Sequence, residues 1–231
     1  MKIGDSLSLA RIIHRRLGSL SLGFRSAGKE KEREKFPPFI TVSRESGSGG
    51  KLVAQKVAQK LGFEFYDKRL VEIAAEKSKA RKELLAMHDE KVRGAIDDWI
   101  EGLLEPEHVT VSAYIKSICQ VILSLCKKGK VVILGRGGNF ITPFEDGLHV
   151  RVMAPFLVRV QNTVHFEGLE IDKAKEMIKA KDKERKDFVM EYFQKNPSNA
   201  NYYDLVINTK KMKVDGAAEI VVAAFEKKFG K

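Results

Sequence analysis

The amino-acid sequence predicts an α/β fold in which a parallel five-stranded sheet is flanked by helices. Short β-branched or apolar runs alternate with longer stretches of helical periodicity along most of the 231 residues. This alternation is typical of parallel strands joined by right-handed helical crossovers. The clearest of the short runs are apolar throughout, as expected for strands that are covered by helices on both faces.

The first predicted strand, Phe39–Ser43, leads into a glycine-rich turn and then a helix. Apolar residues at 52, 53, 57 and 61 give that helix one buried face, and Gly62 stands where a terminating glycine is common. A second strand is predicted at Phe63–Tyr66. Asp67 follows it and precedes another helix, which passes through Leu70 and Ile73.

The middle of the chain is predicted to contain helices and the most apolar strand. Residues 80–108 are charged with helical periodicity, and their tryptophan, Trp99, indicates either a helical insertion or an interface. A long helix is predicted at Val111–Cys126. The strand Val131–Leu134 follows and is the clearest in the chain.

The last third of the chain contributes two more strands. His149–Met153 is predicted as the fourth strand, a polar helical region covers about 156–194, and Leu205–Ile207 is the fifth strand. A final helix is predicted at Ala217–Phe229. The five strands and their connecting helices account for a single domain of ordinary size.

Charge and composition divide the chain and limit its partners. Residues 1–35 carry nine Lys/Arg and four acidic residues, so we expect a basic, flexible arm before a domain at 36–231. The net charge of +11 predicts an anionic partner such as phosphates, nucleic acid or an acidic membrane surface. The arm has almost no aromatic residues to stack on bases, which disfavours nucleic acid.

Membrane insertion and disulfide chemistry are not indicated. No apolar run reaches the length needed to cross a bilayer. The two cysteines, Cys119 and Cys126, form neither a CxxC pair nor a disulfide framework. This pattern favours buried, reduced thiols and a cytoplasmic protein.

The main chemical signal is the turn after the first strand, Ser46–Gly50. Glycines at 47, 49 and 50 let backbone amides approach a ligand, and the following helix directs its positive end into the turn. A strand, a glycine-rich loop and a helix in that order favour a phosphate site, although a glycine turn without a ligand is the alternative. The literal pattern G-x-x-x-x-G-K-[ST] is not met, because Glu45 and Leu52 stand at its first and last positions.

Four ordered segments carry a resemblance to a known family. They are Ser43–Gly50, Phe65–Lys68, Ile133–Gly137 and Tyr203–Thr209. Together they resemble the cytidylate-kinase-like family of P-loop proteins, from about Phe39 to the end of the chain. The resemblance implies a three-layer P-loop NTPase fold with a helical monophosphate-binding region at about 69–108 and a helical lid at about 165–195.

The resemblance also implies an activity and its small-molecule partners. Such kinases transfer the γ-phosphoryl group of ATP, with Mg²⁺, to a nucleoside monophosphate, and CMP or dCMP is the favoured acceptor. The expected partners are therefore small-molecule nucleotides, and nothing in the sequence defines an oligomeric state. ATP phosphates would be bound by the turn residues Ser46, Gly47, Ser48, Gly49, Gly50 and Lys51.

The remaining site residues are expected from the same resemblance. Substrate binding is assigned to Arg44, Asp67, Lys68 and Arg136; metal binding to Ser48 and Asp67; and catalysis to Lys51, Arg136, Arg159, Lys181 and Arg185. Each of these roles has a purely structural alternative. Asp67 is then a helix N-cap, Arg136 forms a structural salt bridge, and the lid residues are solvated charges.

Three positions depart from the family pattern. When the glycines are aligned, Gly50 falls where the P-loop lysine belongs, Leu52 replaces a hydroxyl residue, and Gly137 replaces the aspartate of a Gly-Arg-Asp motif. Glu45 or Asp67 is then a candidate substitute for that acid. These departures support a second hypothesis, a catalytically weak nucleotide sensor or scaffold with the same fold.

Overall fold

The computed structural model describes residues 35–103 and 112–230, and within them five strands form one all-parallel sheet. The predicted fold class is confirmed. The spatial order is β2-β3-β1-β4-β5. The strands are β1 Phe39–Arg44, β2 Glu64–Tyr66, β3 Val131–Leu134, β4 Gly147–Met153 and β5 Leu205–Asn208.

Helices connect the strands and cover both faces of the sheet. They are α1 Gly50–Leu61, α2 Lys68–Glu76, α3 Ser78–Ala86, α4 Glu90–Leu103, α5 Ala113–Lys128, α6 Gly138–Ile141, α7 Phe156–Glu167, α8 Ile171–Phe193 and α9 Thr209–Phe229, with a 3₁₀ turn at Ala200–Tyr202. The predicted monophosphate-binding region contains α2–α4, and the predicted lid contains α8. The basic arm, up to residue 34, and positions 104–108 of the predicted insertion lie outside the described residues.

Two helical boundaries differ from the sequence prediction, and one short helix was not predicted. The polar region at 156–194 is two helices, because Gly168 ends α7 and its N–H bonds to the Val164 carbonyl at 3.0 Å. The last helix begins at Thr209 rather than Ala217 and bends at Lys213. The short helix α6 has too few residues to show an apolar period, so the sequence did not predict it.

Two apolar clusters lie on opposite faces of the sheet. Alternate side chains of β1 and β3 enter different clusters, as the period of a strand requires. Phe39, Val131 and Ile133 pack with α2, α4 and α5. Ile40, Val42, Val132 and Leu134 pack with α1 and α9.

The sheet order brings the chemically interesting segments to one edge. β1 is central, with Thr41 paired in register to Ile133 of β3 and to His149 of β4. All strands are parallel, so the turn after β1, the loop after β3 and the end of β4 meet at the same edge. Ligands of such sheets bind outside the carboxyl ends of the strands.

The described helices and the two cysteines bear on membrane insertion and disulfide chemistry. Among the helices that the structure describes, none is long and apolar enough to cross a membrane. Cys119 and Cys126 are both buried and free. Burial raises the pKa of the Cys119 thiol to about 12, which keeps it protonated and unreactive at neutral pH.

Candidate active site beside the glycine-rich turn

The turn after β1 is shaped by backbone rather than side chains. Gly47 and Gly49 have φ angles of 75° and 77°, in the left-handed region that glycine adopts without strain. A Cβ at Gly47 would lie 2.5 Å from the carbonyl oxygen of Arg159, so α7 packs directly on the turn. The amino end of α1 follows at Gly50, which places free N–H groups and a positive helix end at the turn.

Three donors from other elements hold the carbonyl groups of the turn. Arg159 Nη1 donates to the Ser46 carbonyl at 3.1 Å, and Asn162 Nδ2 donates to the Gly47 carbonyl at 2.9 Å. Thr209 Oγ1 donates to the Ser48 carbonyl at 2.8 Å. These bonds fix the conformation of the turn without any ligand.

A carboxylate already lies against one amide of the turn. The Ser46 N–H donates to Asp182 Oδ1 at 2.7 Å. The same carboxylate contacts Arg159 Nη1 at 2.5 Å and Arg185 Nη1 at 3.5 Å. An amide and two guanidinium groups around one anion are the donors that a phosphate group also uses.

A cavity of about 450 Å³ opens beside this carboxylate. It is bounded by the carboxyl ends of β1, β3 and β4 and by α8. Its wall contains three carboxylates, from Glu45, Asp182 and Glu184, against eight cationic side chains. The cations are Arg44, Lys68, Arg136, Arg151, Lys181, Lys183, Arg185 and Lys186. This excess of positive charge attracts anions.

Arg136 combines burial, a strained backbone and an unused donor. It follows β3 with φ 51°, which is uncommon for a residue with a side chain. Its Nη2 pairs with Glu72 at 2.9 Å, and its guanidinium stacks on Phe188 with Cζ 4.5 Å from the ring centroid. Its buried Nε has no hydrogen-bond partner among the described residues.

Glu45 joins the turn to the end of β4. Its carboxylate lies 3.6 Å from Arg151 Nη2 and 3.4 Å from Arg159 Nε, and it accepts a hydrogen bond from the Ala154 N–H at 3.3 Å. The residue that stands at the first glycine of the P-loop pattern is therefore an ion-paired link between two strands.

Asp67 is a helix cap that also binds a lysine. It accepts hydrogen bonds from the N–H groups of Arg69 and Leu70 and pairs with Lys51 Nζ at 2.9 Å. Burial alone would raise the pKa of Asp67, but the bonds from Lys51 and the two amides outweigh it and lower that pKa. The cap interpretation describes this geometry, and a role in ligand binding stays a prediction.

The structure brings five of the predicted residues to the cavity wall: Arg44, Lys68, Arg136, Lys181 and Arg185. Lys68 pairs there with Glu184. Lys51 instead pairs with Asp67 outside the wall, and its side chain is 58% exposed. Arg159 lies beneath the turn, where it donates to the Ala154 and Ser46 carbonyls. The turn and the cavity meet at Asp182.

The cavity offers carboxylates to Mg²⁺ but no complete set of protein ligands among the described residues. Ser48 is 1% exposed, and its hydroxyl donates to the carbonyls of Glu45 at 2.8 Å and Val152 at 3.3 Å. Within the described part of the chain no group of three or more His, Cys, Asp or Glu side chains could hold a metal ion. Glu45, Asp182 and Glu184 reach the cavity, and one or two carboxylates with substrate phosphates suffice for Mg²⁺.

Several residues of the site were missed by sequence reasoning. Asp182 lies within a run of cations, and its spacing from Arg185 is the available signal, since i and i+3 share a helix face. Glu72 and Phe188, the partners of Arg136, come from helices far apart in the chain. No local pattern marks either of them.

Comparison with known proteins agrees with this geometry. A parallel sheet with β1 at its centre, a glycine-rich turn before α1 and helices on both faces is the three-layer arrangement that the sequence predicted. The chain belongs to the cytidylate kinase-like family, whose model matches residues 39–211. The resemblance drawn from four sequence segments is confirmed.

Individual relatives are more distant. A cytidylate kinase from Pyrococcus horikoshii is 25% identical over 189 residues, which cover 81% of this chain and 88% of that protein. A uronate isomerase from Corynebacterium glutamicum is 32% identical over 99 residues, but the match spans 19% of that protein's length. An uncharacterized protein from Eubacterium ventriosum shares the fold with a TM-score of 0.64, at 21% identity over 82% of this chain and 98% of the other.

Proposed function

We propose that this protein transfers the γ-phosphoryl group of ATP to a nucleoside monophosphate, with CMP or dCMP as the favoured acceptor. The observation that carries the proposal is the cationic cavity that meets the glycine-rich turn at Asp182. A donor phosphate at the turn and an acceptor phosphate in the cavity would lie at the same edge of the sheet. The cytidylate kinase from Pyrococcus horikoshii supports the choice of acceptor.

The residues would act by positioning and charge rather than by covalent chemistry. Phosphoryl transfer needs the attacking and leaving oxygens held in line and the charge on the transferring group neutralised. Arg136, with its unpaired Nε in a buried stack on Phe188, would bind the acceptor phosphate. Lys181 and Arg185 on α8 would approach the transferring group and exclude water.

Mg²⁺, when bound with ATP, neutralises phosphate charge in such kinases. Glu45 and Asp182 are the carboxylates best placed to hold it, directly or through water, because both line the cavity next to the turn. The adjacent amide of Ser46 would bind a phosphate oxygen in the place of the Asp182 carboxylate.

ADP formation from ATP and Mg²⁺ tests the proposal, with CMP, dCMP, UMP, AMP and GMP offered in turn. We expect turnover that requires a monophosphate, with the highest kcat/KM for CMP or dCMP. Turnover that is fastest with a monophosphate of another base would support the kinase activity and contradict the proposed preference for CMP or dCMP. No turnover above the ATP-only background with any of the five would end the enzyme proposal.

A second candidate, a nucleotide-binding sensor or scaffold, is favoured by the occupied turn. Asp182 takes the amide that a phosphate would use, and Gly50 brings no lysine to it. This candidate predicts that calorimetry detects ATP binding in a protein that forms no ADP. Binding together with turnover would exclude it.

A further inference from the structure

The side chain of Arg44 occupies the space that the residue at position 50 would use. A Cβ added to Gly50 would lie 2.5 Å from Arg44 Cβ and 3.1 Å from Arg44 Cγ. Position 50 is the first residue of α1, where the aligned glycines of a P-loop place a lysine. A lysine side chain at position 50 and the Cβ and Cγ of Arg44 therefore cannot occupy the same space, so the chain has room for only one of them.

The guanidinium of Arg44 then crosses to the loop after β3. A Cβ added to Gly135 would lie 2.3 Å from Arg44 Nη1, so a second glycine makes room for the arginine. Arg44 lines the cavity together with Arg136, which follows Gly135. Its charge therefore lies between the glycine-rich turn and the predicted acceptor site.

The carboxylates of Asp67, Asp182 and Glu184 act on this charge from a distance, but none of them forms a salt bridge with it. The guanidinium of Arg44 has no hydrogen bond and no salt bridge with any residue that the structure describes. Burial, followed by the repulsion of Arg185, lowers the pKa of Arg44 to about 9, so it remains protonated at neutral pH. A buried cation without a direct anionic partner is costly, and an anionic ligand at this point reduces the cost.

We propose that Arg44 is the cation that contacts the β- and γ-phosphates of the nucleotide in place of the lysine that a P-loop usually carries at the start of α1. The inference rests on the proposed nucleotide site and names the residue that completes it. A planar guanidinium presents two parallel donors to phosphate, whereas a lysine presents a point charge. In this arrangement the phosphates still meet one positive charge, but a residue at the end of β1 supplies it instead of a residue at the start of α1.

The test separates charge from packing with the variant Arg44→Met, which keeps an unbranched stem against Gly50 and removes the cation. Calorimetry with ADP and AMP, and ADP formation from ATP, are the readouts. We expect Arg44→Met to weaken ADP binding by about 10- to 100-fold, the effect of losing a charged hydrogen-bond donor, while AMP binding changes by less than about threefold. Arg93→Ala, which removes an exposed arginine on α4, is the matched control and should leave both affinities unchanged.

Relocating the charge gives the decisive comparison. The double variant Arg44→Gly with Gly50→Lys removes both Arg44 carbons that block position 50, the Cβ and the Cγ, and returns a lysine to the start of α1. It should recover at least about tenfold of the lost ADP affinity, whereas Gly50→Lys alone should not improve on the native protein because Arg44 fills its space. If Arg44→Gly proteins do not fold, the Arg44→Met variant decides the question alone.

The outcomes distinguish this inference from the proposed function. Unchanged ADP affinity and turnover in Arg44→Met would overturn the role of Arg44 while leaving the kinase intact. A native protein that forms no ADP but loses ADP affinity in Arg44→Met would keep the role of Arg44 and end the kinase proposal. Absence of ADP binding in the native protein would overturn both.

Discussion

At the scale of single residues, the site depends on close contacts that leave specific atoms unused. Arg136 is held by Glu72 and Phe188, yet its Nε is buried without a partner among the described residues. Its positive φ adds strain at the same point. Strain and an unsatisfied donor persist where a ligand or the surrounding structure compensates them, and they are common at functional sites.

Replacing Arg136 by alanine should impair use of the acceptor. We expect kcat/KM for the monophosphate to fall by about 100-fold, because two or more charged hydrogen bonds are lost, while the KM for ATP changes little. Steady-state kinetics with each substrate varied in turn measures both. Arg136→Lys should recover only part of the loss, since an ammonium has no planar fork for the phosphate. Native kinetics in Arg136→Ala would remove this residue from the acceptor site.

Gly137 explains why the aspartate of the family motif is absent. Its φ is 66°, and a Cβ there would lie 2.5 Å from Phe193 Cε2 at the end of α8. Both the backbone conformation and the aromatic contact therefore select against any side chain. The acid that the family pattern would place at this position has no room in this fold.

Gly137→Ala should consequently lower the free energy of unfolding by about 2 kcal/mol, the sum of backbone strain and overpacking. The matched substitution is Gly94→Ala in α4, where a Cβ would meet nothing within 4 Å. That change should raise the free energy of unfolding by about 0.5–1 kcal/mol, because alanine loses less conformational entropy than glycine in a helix. Urea denaturation of both variants checks the pair, and equal stability of the two would contradict the argument.

At the scale of elements, α8 is the helix that lies against the glycine-rich turn and the cavity. It brings Asp182 to the Ser46 N–H while Lys181 and Arg185, one and three residues away, line the cavity. A nucleotide phosphate and the Asp182 carboxylate would require the same donors. Binding therefore requires that α8 move or that this contact break.

Asp182→Asn should strengthen ADP binding by about tenfold, which corresponds to ~1.4 kcal/mol of relieved competition between two anions. Calorimetry at low ionic strength and without Mg²⁺ measures the change, so that any role of Asp182 in holding Mg²⁺ does not enter the comparison. Asp172→Asn is the control, because Asp172 lies on the same helix, is exposed and pairs only with Lys175 among the described residues. Weaker ADP binding in Asp182→Asn would show that the carboxylate assists the nucleotide rather than competes with it.

At the scale of the whole molecule, the central position of β1 determines both the core and the site. β1 pairs with β3 on one side and with β4 on the other, and its residues enter the clusters on both faces. One buried histidine belongs to this central region. His149 of β4 contacts Thr41 Oγ1 at 2.6 Å through Nδ1 and stacks on Phe144.

The protonation of His149 predicts a pH dependence of stability. Burial lowers the pKa of His149 to about 4; the charge of Asp204 opposes this shift, and that of Lys228 adds to it. The unfolded chain therefore binds a proton near pH 6.5, before the native protein does, and stability falls as the pH drops from 6.5 towards 4. The loss attributable to this residue approaches ~3 kcal/mol.

Unfolding by urea at several pH values tests this expectation. His149→Gln removes the titrating group, so the variant should lose about 3 kcal/mol less stability than the native protein between pH 6.5 and 4. The comparison of slopes is independent of any constant destabilisation caused by the substitution. Parallel pH profiles for the two proteins would contradict a neutral buried His149.

The sequence by itself determined the fold class, the family and the glycine-rich turn beside which the candidate site lies. Period-two and period-3.6 patterns are local properties, and the strands follow from them. The glycine-rich turn follows from its glycines, and the expected role of Arg136 comes from the family resemblance. Residues 133–137 and 203–209 carried the family resemblance in the same way. These features can be predicted from the sequence because each depends on neighbours within a few positions along the chain.

Only the tertiary structure decided what each charged side chain touches. The sequence assigned Lys51 to ATP binding and catalysis and Arg44 to substrate binding. The fold pairs Lys51 with Asp67 outside the cavity wall and brings the Arg44 side chain to that wall without a salt bridge. It also brings Asp182 to an amide 136 residues away. Contacts of that kind depend on strand order and helix packing, which no local period encodes. The physical reason is that side-chain charge is a property of the residue, whereas its neutralisation is a property of the fold.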